Sequence, residues 1–284
     1  MSSFQKTIKY IAIAFAVFLA VVIISVIANA AFAVVSAVSG GIEYSTKNEK
    51  MVDFTENFTD VKSLNIENAT GKLIIKTGDS IKVEAENVTE DFVAKVNSNG
   101  TLTISDSQNK GHFLWFNING FQDPNSVVTL YLPSDFVAKD TNINSGAGSV
   151  TVEGLHSGYL MISAGAGNIS GDGVSAEKVK IDGGVGSVTL QNVNFSDADF
   201  NCGVGSLDIQ GVLLGNNKID CGVGGVDLDL TGNVDDYDLD INSGIGTIRL
   251  NGDKISDEYM SNKDAANSIK IDGGVGDVKI QIGN

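Results

Sequence analysis

The sequence predicts an all-β protein, a single-stranded parallel β-solenoid preceded by one N-terminal transmembrane α-helix. Three observations predict it: a ten-residue pattern that recurs seven times, a two-residue hydrophobic alternation within each copy, and a long uncharged apolar run near the N-terminus. The pattern is apolar-Asx-small-Gly-apolar-Gly-x-apolar-x-apolar. It reads INSGAGSVTV at Ile143, ISAGAGNISG at Ile162, IDGGVGSVTL at Ile181, FNCGVGSLDI at Phe200, IDCGVGGVDL at Ile219, INSGIGTIRL at Ile241 and IDGGVGDVKI at Ile271. Only the second unit departs, with Ser163 and Gly171. The first glycines, Gly146, Gly165, Gly184, Gly203 and Gly222, are 19 residues apart, and the next steps are 22 to Gly244 and 30 to Gly274. A fixed period of this size marks a solenoid, in which each unit covers the apolar face of the next.

Within a unit, alternation places Ile181, Gly183 and Val185 on one side and Asp182 and Gly184 on the other, as in a strand with one buried face. After Gly186 the phase shifts, so Val188 and Leu190 point inward and Thr189 outward. The G-x-G forms the corner, because glycine tolerates positive φ and close backbone approach. At roughly 3.3 Å per residue, one 19-residue unit traces about 60 Å, enough for about three short sides, and coils stack about 4.8 Å apart through parallel hydrogen bonds. With 42% hydrophobic residues, 33 glycines and two prolines, the chain can bury a sizeable core with many tight corners.

The run from Ile11 to Val38 has no charge. As a helix it measures about 42 Å, more than the roughly 30 Å hydrocarbon core requires. Lys6 and Lys9 precede it and favour an inside N-terminus. Ala28-Asn29-Ala30 and Ala31-Phe32-Ala33 resemble signal-cleavage sites, so an uncleaved anchor and a cleaved signal both stand. The expected organisation is a cytoplasmic tail at 1–9, a transmembrane helix or signal segment at 10–38, a polar linker at 39–60 and an extracytoplasmic repeat domain at 61–284. The protein is then single-pass in the cell membrane with its repeats outside. Beyond the apolar run stand 17 basic and 35 acidic residues, a net charge of −18, which argues against nucleic acid and anionic lipid as partners.

Strand-like stretches begin at Val61, and Asn68-Ala69-Thr70-Gly71 and Asn97-Ser98-Asn99-Gly100 look like degenerate corners. Seven of the nine phenylalanines beyond the apolar run precede residue 140, which suggests a wider core or a cap at that end. Gly111 to Phe121 clusters aromatic residues, expected as a flap folded over the solenoid. Asp253 to Asn267 reads as a polar surface loop. The strand ending at Ile280 is expected to leave an open edge at Val278, guarded by Lys270 and Lys279; the protein then self-associates end to end or receives a partner's strand there, or those lysines alone keep it monomeric.

No motif assigns a catalytic, cofactor or metal site. The paired glycines lack the helix of a dinucleotide site, the G-K-[ST] of a P-loop and the Asp of the calcium nonapeptide. Stacked in chain order, one outward column reads Asn144, Ser163, Asp182, Asn201, Asp220, Asn242, Asp272, and its amides can form a ladder between carboxylates. Another reads Thr151, Ser170, Thr189, Asp208, Asp227, Arg249, Lys279. Asp208, Asp227 and Asp229 are a conceivable calcium set, although a solvated strand face is the simpler reading. Asp227, Asp229 and Arg249 are the one trio that could serve a glycan-active enzyme. Neither His112 nor His156 stands near a nucleophile in the register. Two histidines and two cysteines so scattered give no zinc spacing. Cys202 and Cys221 share a small inward position one coil apart, where a buried thiol fits and a disulfide is allowed.

The apolar segment, the VTLYLP strand at Val128–Pro133 and the run of I-[ND]-x-G-[AVI]-G-x-[VIL]-x-[VIL] units resemble the bacterial putative-adhesin β-strand repeat family, a domain of unknown function. The resemblance spans roughly Asp53 to Asn284 and implies a membrane-anchored surface solenoid, linked in some members to adhesion or envelope stress, with no catalytic residues to carry over. The expected function is a non-catalytic cell-surface binding or scaffold protein, without cofactor, whose partner is a cell-envelope glycan or a membrane protein. The rivals are a glycan-active enzyme on the same scaffold and a membrane-anchored sensor of a protein partner.

Overall fold

The computed structural model describes residues 50–106, 125–261 and 264–283. The segments expected as cytoplasmic tail (1–9) and transmembrane helix or signal (10–38), and the aromatic stretch 111–121, lie outside the described residues. Among the described residues the one helical element is a short 3-10 turn, Val234–Asp236, capped by Asn233, whose Oδ1 accepts the Asp235 N–H at 2.9 Å. All other regular structure is β.

The 19-residue spacing becomes one rung of a parallel ladder. Ile143 pairs with Ile162, Ile162 with Ile181, Ile181 with Phe200 and Phe200 with Ile219. On the next side Val150, Ile169, Val188, Leu207 and Val226 stack in the same way. These side chains are buried and form a continuous column of core. Each coil turns three times. The first turn passes Gly186 at φ +141°, the second slips the ladder between Leu190 and Val193 at Asn192 (φ +52°), and the third is at Asp197 (φ +48°). Asn and Asp are the non-glycine residues that best tolerate this left-handed backbone. Phe195 and Phe200 fill the centre, with rings 6.4 Å apart.

Alternation fails at one position of the repeat. Sequence places Val185 inward with Ile181 and Gly183, but Gly184 and Val185 are both exposed, Val185 at 58%. The chain bends already at Gly184, where backbone packs on backbone: a β-carbon there would lie 2.2 Å from the Gly165 carbonyl oxygen. A straight-strand period therefore ends one step before Val185 instead of after Gly186.

Beyond Ile219, order in space departs from order in sequence. Ile271 pairs with Ile219 on one side and Ile241 on the other, and Val278 with Val226 and Ile248. The last coil of the chain is thus inserted between the two before it. The open edge expected at Val278 does not exist, since the strand Val278–Ile282 is hydrogen-bonded on both sides. Asp253 to Asn267, read as a loop, supplies the strands Asp253–Ile255 and Glu258–Met260. These run antiparallel to Ile248–Leu250 and Tyr237–Asn242 and cover that end of the stack. The hairpin-like return fills the outer edge of the Ile241 coil, so the edge left to receive the final coil faces inward.

The other end uses the same device. The strand Ser63–Thr77 lies between Val137–Glu153 and the pair Thr101–Ser105 and Val127–Leu132. Outside them, Val93–Val96 runs antiparallel to Thr101–Ser105 and Lys82–Thr89 to Val127–Leu132, and Met51–Asn57 adds antiparallel to Lys82–Thr89. Met51–Asn57 falls within the stretch read as linker, so the β unit begins before residue 61. Gly71 does occupy a corner, in register with Gly148. Asn97–Gly100 does not: it closes the hairpin between Val93–Val96 and Thr101–Ser105, with the Gly100 N–H donating to Asn97 O at 3.0 Å. The aromatic enrichment at this end appears in part as a cap contact, Phe54 against Phe92 at 5.2 Å.

Candidate functional site

Stacking converts each position of the repeat into a row along the surface. The second, fourth and fifth positions of the repeat give three outward rows of different chemistry. The polar row runs Glu67, Asn144, Ser163, Asp182, Asn201, Asp220, Asp272, and Asn242 closes it. The glycine row includes Gly146, Gly165, Gly184, Gly203 and Gly222, where an added β-carbon would meet the carbonyl of the preceding rung at 2.2 to 2.6 Å. The apolar row is Ala147, Ala166, Val185, Val204, Val223, Val275 and Ile245, each in register with the next.

A groove of about 900 Å³ follows the polar and glycine rows from Glu67 to Gly203. It exists because glycine leaves bare backbone between taller neighbours. At its Glu67 end it is lined by Asn68 and Ser145, whose Nδ2 and Oγ find no hydrogen-bond partner among the described residues. The polar row is partly self-satisfied, as the ladder reading expects: Asn201 Nδ2 donates to Asp182 Oδ1 at 2.7 Å. Lysines two residues upstream moderate its charge, Lys180 at 3.6 Å from Asp182 and Lys218 at 2.5 Å from Asp220. The Asp220 carboxylate, by hydrogen bond and charge, holds the Lys218 ammonium above its ordinary pKa. Lys270 sits between Asp240 and Asp272, at 3.5 and 3.8 Å. Carboxylates of the neighbouring Asp220 and Asp272 are therefore each matched to a cation.

The apolar row is unlike the rest of the surface. Val185, Val204, Val223, Val275 and Ile245 are all exposed large hydrophobic residues, with Ile245 at 62%. Single exposed apolar side chains are ordinary, whereas here five β-branched ones stand in one contiguous line. The sequence signal was available, since every unit holds Ala, Val or Ile between two glycines.

The trio Asp227, Asp229 and Arg249 is not brought together. The inserted coil puts Lys279 between Asp227 and Arg249. Lys279 Nζ lies 3.5 Å from Asp227 Oδ2, Arg249 donates to Gly252 O, and Asp229 accepts from Gln210. Asp208 and Asp227 are register neighbours as expected. No group of three or more His, Cys, Asp or Glu side chains converges on a metal position among the described residues. Arg249 follows Lys279, so the second column ends Asp227, Lys279, Arg249 in space.

One expectation about histidine is corrected. His156 is the register partner of Ser175, 19 residues on, with Nδ1 2.5 Å from Ser175 Oγ. Both line a second depression, of about 1080 Å³, on the third side of the coil with Phe136, Val137 and Leu214. Cys202 and Cys221 are free, buried and directly in register.

The family described as Toastrack DUF4097 matches residues 61–282 of this chain. No curated protein sequence matches it. Among solved structures, the chain is similar to a putative cell adhesion protein from Clostridium sporogenes, at 16% identity over 82% of this chain and all of that one, with a TM-score of 0.32. A putative adhesin from Bacteroides fragilis gives 11% identity over 82% and 97%, TM-score 0.35. Another from Parabacteroides distasonis gives 12% over 83% and 98%, TM-score 0.34.

Proposed function

Because the chain belongs to the Toastrack DUF4097 family, a domain of unknown function, we propose that its β-solenoid-like repeats form a non-catalytic binding surface held outside the cell membrane by the segment 10–38, adhesin-like in role. The observation that carries the reading is the exposed apolar row from Ala147 to Ile245, running beside the groove over the polar and glycine rows. The partner class we favour is a neutral cell-envelope glycan. An acidic excess disfavours anionic polymers. The rows repeat at each rung, about 4.8 Å, whereas an extended peptide presents same-face side chains about 6.6 Å apart and loses step. A sugar chain adds about one ring per rung and offers an apolar face to the valines and hydroxyl edges to Asn144, Asp182 and Asn201. The division of Asp227 from Arg249 by Lys279 supports binding without turnover.

The test uses the full chain in detergent, mixed with insoluble cell-wall glycan. Retention is expected, and Val204→Asp together with Val223→Asp should weaken it at least tenfold. Those side chains are 47% and 38% exposed, so the thermal midpoint should stay close to that of the parent. Equal retention by the double variant, or release of cleaved sugar by the parent, defeats the reading.

A further inference from the structure

The inward row runs Asn68, Ser145, Ala164, Gly183, Cys202, Cys221, Gly273. Each thiol thus has the other on one side and a glycine on the far side. Both are buried, at 5% and 4% exposure. The Cys221 thiol donates to Cys202; accepting that hydrogen bond lowers the pKa of Cys202, whereas donating it, together with burial, raises that of Cys221. Cys202 is therefore the better nucleophile of the pair.

We infer that Cys202 and Cys221 are an oxidation site at which a reversible disulfide ties two consecutive coils together. Register partners on adjacent rungs have Cα atoms about 4.8 Å apart, inside the range a disulfide spans. Parallel strands aim both β-carbons the same way, so each side chain must tilt toward the other. Gly183 and Gly273 place no side chain of their own on the outer flanks of the pair. With a small external disulfide such as oxidised glutathione, the Cys202 thiolate attacks one sulfur, breaks the reagent's S–S bond and releases one glutathione thiolate. Cys221 then gives up its proton, attacks Cys202 Sγ and expels the second. The protein loses two electrons and two protons, and one reagent disulfide becomes two thiols.

The full chain in detergent is incubated with oxidised glutathione, then denatured without reductant in iodoacetamide and weighed intact. A mass lower by two hydrogens with no alkyl adduct is expected, and reductant should restore two adducts. Cys221→Ser should trap the first step as a glutathione adduct on Cys202, whereas Cys202→Ser should keep one alkylatable thiol; both are tolerable because Ser145 holds the same position. The oxidised parent should melt several degrees above the reduced one. On the parent, two alkyl adducts after prolonged oxidation, a persistent glutathione adduct, or cross-linked chains on a non-reducing gel overturn the inference.

Discussion

Gly205→Ala should be among the most damaging single substitutions in the protein, despite adding only a methyl group. Gly205 is the second glycine of its corner, at φ +149°, and a β-carbon there would lie 1.8 Å from the Gly186 carbonyl oxygen and 2.6 Å from its carbon. That oxygen belongs to the rung beneath and cannot retreat without breaking the corner below, where Gly186 meets Gly167 in the same way. Strain at φ and backbone collision act together, so a loss of about 4 kcal/mol or more is expected, a fall in Tm on the order of 10 °C. Val204→Ala, one residue away and outward, should change stability by about 0.5 kcal/mol. Thermal unfolding followed by circular dichroism checks both, and an alanine variant as stable as the parent would remove the corner argument.

Deleting residues 267–284 should do more than trim an end. The deleted strands carry Ile269, Ile271, Val278, Ile280 and Ile282, all buried, and they pair with coils on both sides. At 1.5–3 kcal/mol for each side chain the burial lost is on the order of 10 kcal/mol, an upper bound because denatured chains are themselves partly compact. The deletion also strips the Ile241 coil of its only inner neighbour. The shortened chain should be insoluble or lack a cooperative melt. A stack in chain order would lose one terminal coil and keep the rest, so a soluble deletion melting like the parent would count against the inserted arrangement.

Legibility of the sequence divides along a physical line. Whatever follows from one unit repeating could be read: the rung spacing, the inward Ile143, Ile181 and Val188, the small position of Cys202, and the ladder of Asn201 on Asp182. The order of the last coils could not, because the units at Ile241 and Ile271 carry the same pattern and either docks on Ile219. Only the longer steps to Gly244 and Gly274 hinted at an excursion between them. Val185 was misassigned because a period of two presumes a straight strand, and the glycine before it had already bent the chain. The contact of His156 with Ser175 was missed although their 19-residue spacing is that of the repeat, since the third side of the coil has no motif of its own. The same presumption of a straight strand hides the surface row of valines, because alternation turns each of them inward.

The rows on which the proposed binding surface depends exist in their described order only if the Ile271 coil lies between those of Ile219 and Ile241. Methyl NOE spectroscopy on isoleucine-labelled protein reads this directly. Cross-peaks are expected between Ile219 and Ile271 and between Ile271 and Ile241, one rung apart, and none between Ile219 and Ile241, two rungs or about 9.6 Å apart. A cross-peak joining Ile219 to Ile241, with none joining Ile219 to Ile271, would contradict the account.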